Sequence, residues 1–271
     1  MNSVARLSYE FCGLTDCGRV RKNNEDAVAV DPAHGLALLA DGMGGYNAGE
    51  VASSMAISVT QHAMVRWLEQ AQGRPASAAV RQALQESVQQ ANLAVLKTSM
   101  LQPQCAGMGT TLVVAVFGGD RLVLGHMGDS RCYRLRAGQL QQLTRDHSWL
   151  QEQLDAGLMT PEEAAQSGYG NLVTRALGVE EETLLDINEF QVEPLDLFLL
   201  CSDGLSDMLS DHELLMLSNS SDSLEEKTRC LVDTANAMGG RDNISVVLVQ
   251  AHTQGRSKSG LISRLLHKKA A

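Results

Sequence analysis

The residues with the most chemistry in this 271-residue chain are acids placed at the ends of apolar runs. The run GLALLA (35–40) stops on Asp41, and glycine follows at 42, 44 and 45. A second run, 197–201, leads through Ser202 into Asp203-Gly204. Asp129 follows RLVLGHMG (121–128), Asp242 stands just before ISVVLV (244–249), and Glu25-Asp26 opens AVAV (27–30). Any one Asp-Gly pair is ordinary turn chemistry. Five strand termini that each carry an acid are harder to explain that way. Carboxylates drawn to the end of a buried strand need cations to offset desolvation and mutual repulsion. Oxygen donors completed by water suit hard ions such as magnesium or manganese. Glycine after Asp41 would let a backbone carbonyl approach the same ion and leave room for substrate. The expected chemistry is metal-assisted, at an open site.

Several other chemistries are excluded. No His-Glu-x-x-His occurs and the seven histidines have no zinc spacing. There is no P-loop, and glycines 42, 44 and 45 do not fit Gly-x-Gly-x-x-Gly because Asn47 occupies the last place. None of the six cysteines has arginine six positions later, and no Asp-x-Asp pair is present. Acids outnumber bases by 32 to 22, for a formal net charge of −10, which argues against nucleic acid as a partner. The first residues, MNSVAR, have no basic segment followed by an apolar one, so no secretory leader is expected. No stretch approaches the length of a membrane span. The cysteines form no Cys-x-x-Cys pair and are expected to be reduced thiols of a cytoplasmic protein.

Eight blocks stand in one order: GRVRKNNEDA (18–27), ADGMGGYNAGEVAS (40–53), GMGTT (107–111), GDSR (128–131), LTRDHS (143–148), NLVTRALG (171–178), CSDGLSD (201–207) and GGRDNISVVLV (239–249). With them the chain resembles the metal-dependent protein phosphatase family, protein phosphatase 2C, in its bacterial branch, over about residues 5–251. The resemblance implies an α+β fold, a four-layer α-β-β-α sandwich of two antiparallel sheets flanked by helices. It implies hydrolysis of phosphoserine and phosphothreonine in proteins by a water activated at a binuclear magnesium or manganese centre. Asp41 would bridge two ions; Glu25 and the Gly42 carbonyl would bind one, Asp203 and Asp242 the other. Asp26 would accept from metal-bound water, Asp129 with Asp203 would hold a weaker third ion, and Arg21 would clamp the phosphoryl group. Implied partners are phosphorylated proteins, with the enzyme opposing a bacterial Ser/Thr kinase as a monomer. An inactive member serving as a binding module is disfavoured because Glu25, Asp26, Asp41, Asp129, Asp203 and Asp242 are all intact. A calcineurin-type centre would need histidine ligands and a Gly-Asn-His block, which are missing. The animal branch carries histidine after the Asp-Gly pair as general acid, whereas this chain has Met43. Water is the expected proton donor, with His147 the lesser candidate.

The elements that must position these groups are legible as patterns. Residues 6–15 and 27–40 read as strands, the second broken by a turn at 31–35; 46–70 and 76–100 have helical spacing. Strands are expected at 108–117, 121–127, 131–136, 139–144, 183–192, 195–201 and 244–250, and a helix over 223–238. Residues 146–168 are polar and helix-prone, with Pro161 at a helix start. Paired long helices without regular β-α alternation point to α+β layers. The expected organisation is a catalytic domain over 1–252, with a substrate-contacting flap at about 148–170, and a tail over 253–271 that holds five bases and no acids. The tail is expected to be solvated. Docking to an acidic partner or a membrane through Leu261, Ile262, Leu265 and Leu266 is the alternative. Asn243 reads as a strand cap, His126 as a core histidine, and Asp120, Asp146 and Asp207 as turn or cap residues.

Overall fold

A computed structural model describes residues 7–45, 48–71, 73, 75–167 and 172–253. One sheet has strand order β1 (Leu7–Asp16), β11 (Ile244–Thr253), β10 (Leu197–Cys201), β7 (Arg131–Arg136) and β8 (Gln139–Gln142). The other runs β2 (Asp26–Asp31), β3 (Leu36–Met43), β5 (Leu112–Gly118), β6 (Arg121–Met127) and β9 (Asp186–Gln191), with the two-residue β4 (Gly109–Thr110) against the end of β3. All pairings are antiparallel. Strands buried on both faces keep both parities apolar, and β3 does so. Leu36, Leu38 and Ala40 face the helices, while Ala37 and Leu39 face the opposite sheet.

Helices α1 (Ala48–Gln70) and α2 (Ser77–Leu101) cover the β3 sheet through Ala52, Ala56, Leu84 and Val88. The other outer face is covered by α5 (Asp203–Ser206), α6 (Asp211–Ser218) and α7 (Leu224–Ala237), with Leu205, Leu214 and Leu231 against Leu199 and Val246. The expected four-layer sandwich is therefore the fold. The 146–168 segment splits into α3 (Trp149–Asp155) and α4 (Pro161–Gln166), the latter opened by a Thr160–Glu163 capping box and Pro161 at its start.

Sequence patterning overlooks α5 and α6, which are too short to show a helical period. A cap marks α6, where Ser210 and Glu213 form a capping box as Ser223 and Glu226 do at α7, whereas α5 starts at Ser202 without a side-chain cap. The expected strand over 108–117 is broken at Thr111, separating β4 from β5. The last strand reaches Thr253, which pairs with Leu7. Tyr46, Asn47, residues 168–171 and the tail from 254 lie outside the described residues.

Candidate metal centre and phosphate cleft

Five elements end at one cleft of about 200 Å3. Glu25 precedes β2, Asp41 and Gly42 end β3, Asp129 follows β6, Asp203 opens α5 behind β10, and Asp242 precedes β11. All five carboxylates line the cleft, together with Arg21, Thr111 and Val173. Asp26 is the cross-strand partner of Asp41 and lies buried beside them. The acids expected from the sequence are thus gathered at one end of the two sheets. Among the described residues no three acidic, imidazole or thiol groups already form a closed chelating array. The acids ring the space instead.

The backbone under Asp41 is tightly held. Its N–H donates to Thr111 Oγ1 at 2.9 Å, and its carbonyl accepts from Thr111 N at 2.9 Å and Thr110 Oγ1 at 2.8 Å. Thr111 Oγ1 also meets Ser130 Oγ at 2.7 Å. The block GMGTT, which packing alone could explain at sequence level, fixes the direction of Asp41. Gly42 also has a packing reason that the sequence did not show. A Cβ there would stand 2.0 Å from the Gly49 carbonyl oxygen and 2.6 Å from that of Glu25, so the glycine lets α1 close onto the end of β3. The Gly49 N–H, in the first turn of α1, in turn donates to the Glu25 carboxylate.

The electrostatics follow from crowding. Burial, then Asp129, Asp207 and Asp242, push Asp203 up to about 8. Asp26 is raised to about 6 by burial, against hydrogen bonds from Ser245 and Ser202. Burial and Asp146 raise Asp129 to about 6. Asp41 is held well above the usual carboxylate range by burial and by Asp26, Asp203 and Asp129. Two carboxylate oxygens, Asp26 Oδ1 and Asp203 Oδ1, are buried without a hydrogen-bond partner among the described residues. Arg21 donates to Asp242 Oδ2 at 2.6 Å from the rim, its side chain half exposed.

Several groups escaped sequence reasoning. Ser202 Oγ donates to Asp26 Oδ2 at 2.7 Å and accepts from Ser245 N at 3.0 Å. The signal was the serine inside CSDG. Asp146 is no turn residue: it takes Arg131 Nε and Nη2 and Gln142 Nε2, and without Arg131 it would be a buried carboxylate lacking a counter-charge. Asp129, Asp203 and Asp207 border a second space of about 30 Å3 beside this pair. Asp207 caps α5, and Asp120 stands between β5 and β6, where its carbonyl accepts from Val192 N at 2.9 Å. His126 is a core histidine, driven neutral by burial and by His147, whose ring centroid is 4.7 Å away. His147 does not line the cleft. Its Nδ1 accepts from Gly128 N at 3.1 Å, which puts the ring proton on Nε2, 3.2 Å from Asp186 Oδ2. A larger cavity of about 470 Å3 opens at the other end of β5, beside Phe117 and Gly118, and its Arg121 is paired with Glu189.

A four-layer sandwich whose acids meet at one end of the sheets is the architecture of a metal-dependent phosphatase. The protein phosphatase 2C family matches residues 15–243, and the chain belongs to that family. The serine/threonine phosphatase stp of Listeria monocytogenes is 38% identical over 239 residues, 87% of this chain and 93% of that protein. Among solved structures, the catalytic domain of serine threonine protein phosphatase PstP in complex with two manganese ions has a TM-score of 0.80 and 37% identity, covering 91% and 99% of the two chains. PppA, a key regulatory component of type VI secretion in Pseudomonas aeruginosa, has a TM-score of 0.78 and 35% identity, covering 90% and 98%.

Proposed function

We propose that this chain is a protein serine/threonine phosphatase that works with two manganese or magnesium ions. Glu25, Asp41, the Gly42 carbonyl, Asp203 and Asp242 would hold them, with a weaker third position at Asp129 and Asp203. The charge of the cleft carries this reading: among the described residues lining it, five carboxylates face one guanidinium, Arg21. The residues fit hard cations. Among the described residues the charged donors are oxygens, no imidazole or thiol lines the space, and Asp203 Oδ1 is buried without a partner. When bound, the ions supply Lewis acidity for a water nucleophile and neutralise phosphoryl oxygens.

The protein's own groups do the remaining work. Arg21, on the rim, gives paired N–H donors to the phosphoryl oxygens and spreads the charge that develops on them. Asp26 keeps Oδ1 free to accept a proton from the attacking water, while Ser202 holds Oδ2. With both His147 nitrogens engaged, the leaving oxygen takes its proton from water. The substrates we assign are phosphorylated proteins of the cytoplasm, products of a bacterial Ser/Thr kinase, met by a monomer whose flap lies at about 148–170. No helix among the described residues is long and apolar enough to cross a membrane.

The test is hydrolysis of p-nitrophenyl phosphate and a phosphothreonine peptide. Activity should vanish with chelator and return with manganese. Full turnover after exhaustive metal removal would refute the two-ion reading.

A further inference from the structure

The residue beside Asp242 has more contacts than a strand cap requires. Asn243 is 5% exposed, and its amide makes three hydrogen bonds to backbone 218 to 226 positions away in sequence. Oδ1 accepts from Glu25 N at 2.8 Å. Nδ2 donates to the Cys17 carbonyl at 3.0 Å and to the Asn23 carbonyl at 2.9 Å. These bonds match the amide's donors and acceptor with no rotamer to spare.

The three partners bracket the loop that carries Arg21. Cys17 enters it, Asn23 leaves it, and Glu25 begins the acid cluster. Within the loop the Cys17 thiol donates to the Arg21 carbonyl at 3.4 Å. The loop also leans on the backbone around Asn243. Gly18 has φ +77°, and a Cβ there would stand 2.2 Å from the Asp242 carbonyl oxygen. Arg19 N donates to the Gly240 carbonyl at 2.7 Å. Asp242 in turn takes its own Oδ1 contact from Asn243 N at 2.8 Å and its Oδ2 contact from Arg21. The 242–243 segment therefore meets the Arg21 loop from below while Asp242 faces the cleft.

We propose that Asn243 is a positioning residue that sets the distance between Arg21 and the acid cluster, so that one phosphoryl group reaches both. It acts through the Arg21 loop: the residue borders the cleft, but its amide is taken up by the backbone of Cys17, Asn23 and Glu25. The proposal rests on the phosphatase reading above. An amide is required because the two carbonyls of Cys17 and Asn23 need N–H donors while Glu25 N needs an acceptor. A carboxylate would repel both carbonyls, and a shorter side chain would reach neither.

The experiment is a cycle between Asn243 and Arg21. Asn243→Asp, Arg21→Ala and the double variant are compared with wild type, all loaded with manganese. Dissociation of inorganic phosphate is read by calorimetry, and KM and kcat on a phosphothreonine peptide are measured separately. Asn243→Asp should weaken phosphate and raise KM at least tenfold, with kcat falling less than threefold. In the Arg21→Ala background the same change should shift phosphate binding less than twofold. Asn243→Ser, which adds no charge, should behave like Asn243→Asp and serves where that variant does not fold. An equal shift in both backgrounds, an unchanged phosphate constant, or failure of both variants to unfold cooperatively would overturn the role. Absence of phosphopeptide hydrolysis in the wild type would instead refute the proposed function itself.

Discussion

Replacing Asp203 with asparagine should abolish catalysis and, in chelator, stabilise the protein. Asp203 lies among Asp129, Asp207 and Asp242, and burial with these neighbours pushes it from an ordinary 3.8 up to about 8. An acid whose folded-state value lies above its unfolded one favours folding below the unfolded value. That contribution is lost as pH rises through the folded value. The window here runs from about pH 4 to pH 8. At pH 7 the unfolded chain gains the ionisation that the folded chain withholds, a penalty on the order of 4 kcal/mol at ~1.4 kcal/mol per unit. At pH 5 it falls to about a third of that. Asparagine keeps the shape and never ionises, so it removes the penalty. For a domain of this size ~1 kcal/mol moves Tm by roughly 2–4 °C, so chelated Asp203→Asn should melt about 10 °C above wild type at pH 7 and only a few degrees above it at pH 5. Manganese should raise the wild-type Tm much more than that of the variant, because an amide is a poorer donor to a hard cation. Thermal unfolding in chelator at both pH values, then with manganese, checks each step. A variant melting at or below wild type at pH 7, or a gap that does not change with pH, would show that Asp203 is not held among uncompensated charges.

Arg131→Met should lower stability by roughly 3–5 kcal/mol, because Asp146 would stay buried with only Gln142 to face its charge; Arg131→Met with Asp146→Asn should recover part of this in urea melts. His147→Ala should lose ~1–2 kcal/mol by orphaning Gly128 N, yet slow p-nitrophenyl phosphate and phosphopeptide hydrolysis equally. A selective collapse on the phosphopeptide would make His147 the proton donor. A chain ending at Thr253 should keep its full rate on p-nitrophenyl phosphate, since β11 is complete there; loss of that rate would make the tail part of the catalytic fold.

By itself the sequence placed acids at the ends of apolar runs and marked the long elements that carry them. Apolar runs that stop on Asp41, Asp129 and Asp203 are visible without coordinates, because burial of a strand and the charge at its end are both local facts. The long helices α1 and α2 were legible for the same reason: their apolar spacing repeats over several turns. The short α5 and α6 were not, since one or two turns show no period.

Tertiary structure decided who meets whom. Asp26 faces Asp41 because β2 and β3 pair in one register, and a slip of one residue would turn both to the other face. Asp203 and Asp242 come together because β10 pairs with β11 over Leu197↔Gln250 to Cys201↔Val246. Pairing also withdrew His147 from the cleft, by setting its ring between Gly128 and Asp186. Asn243 looked like a cap in its own segment, and only the approach of the 17–25 loop revealed three partners for its amide. Contacts across some 220 positions of chain depend on sheet register and layer packing, which no local pattern encodes.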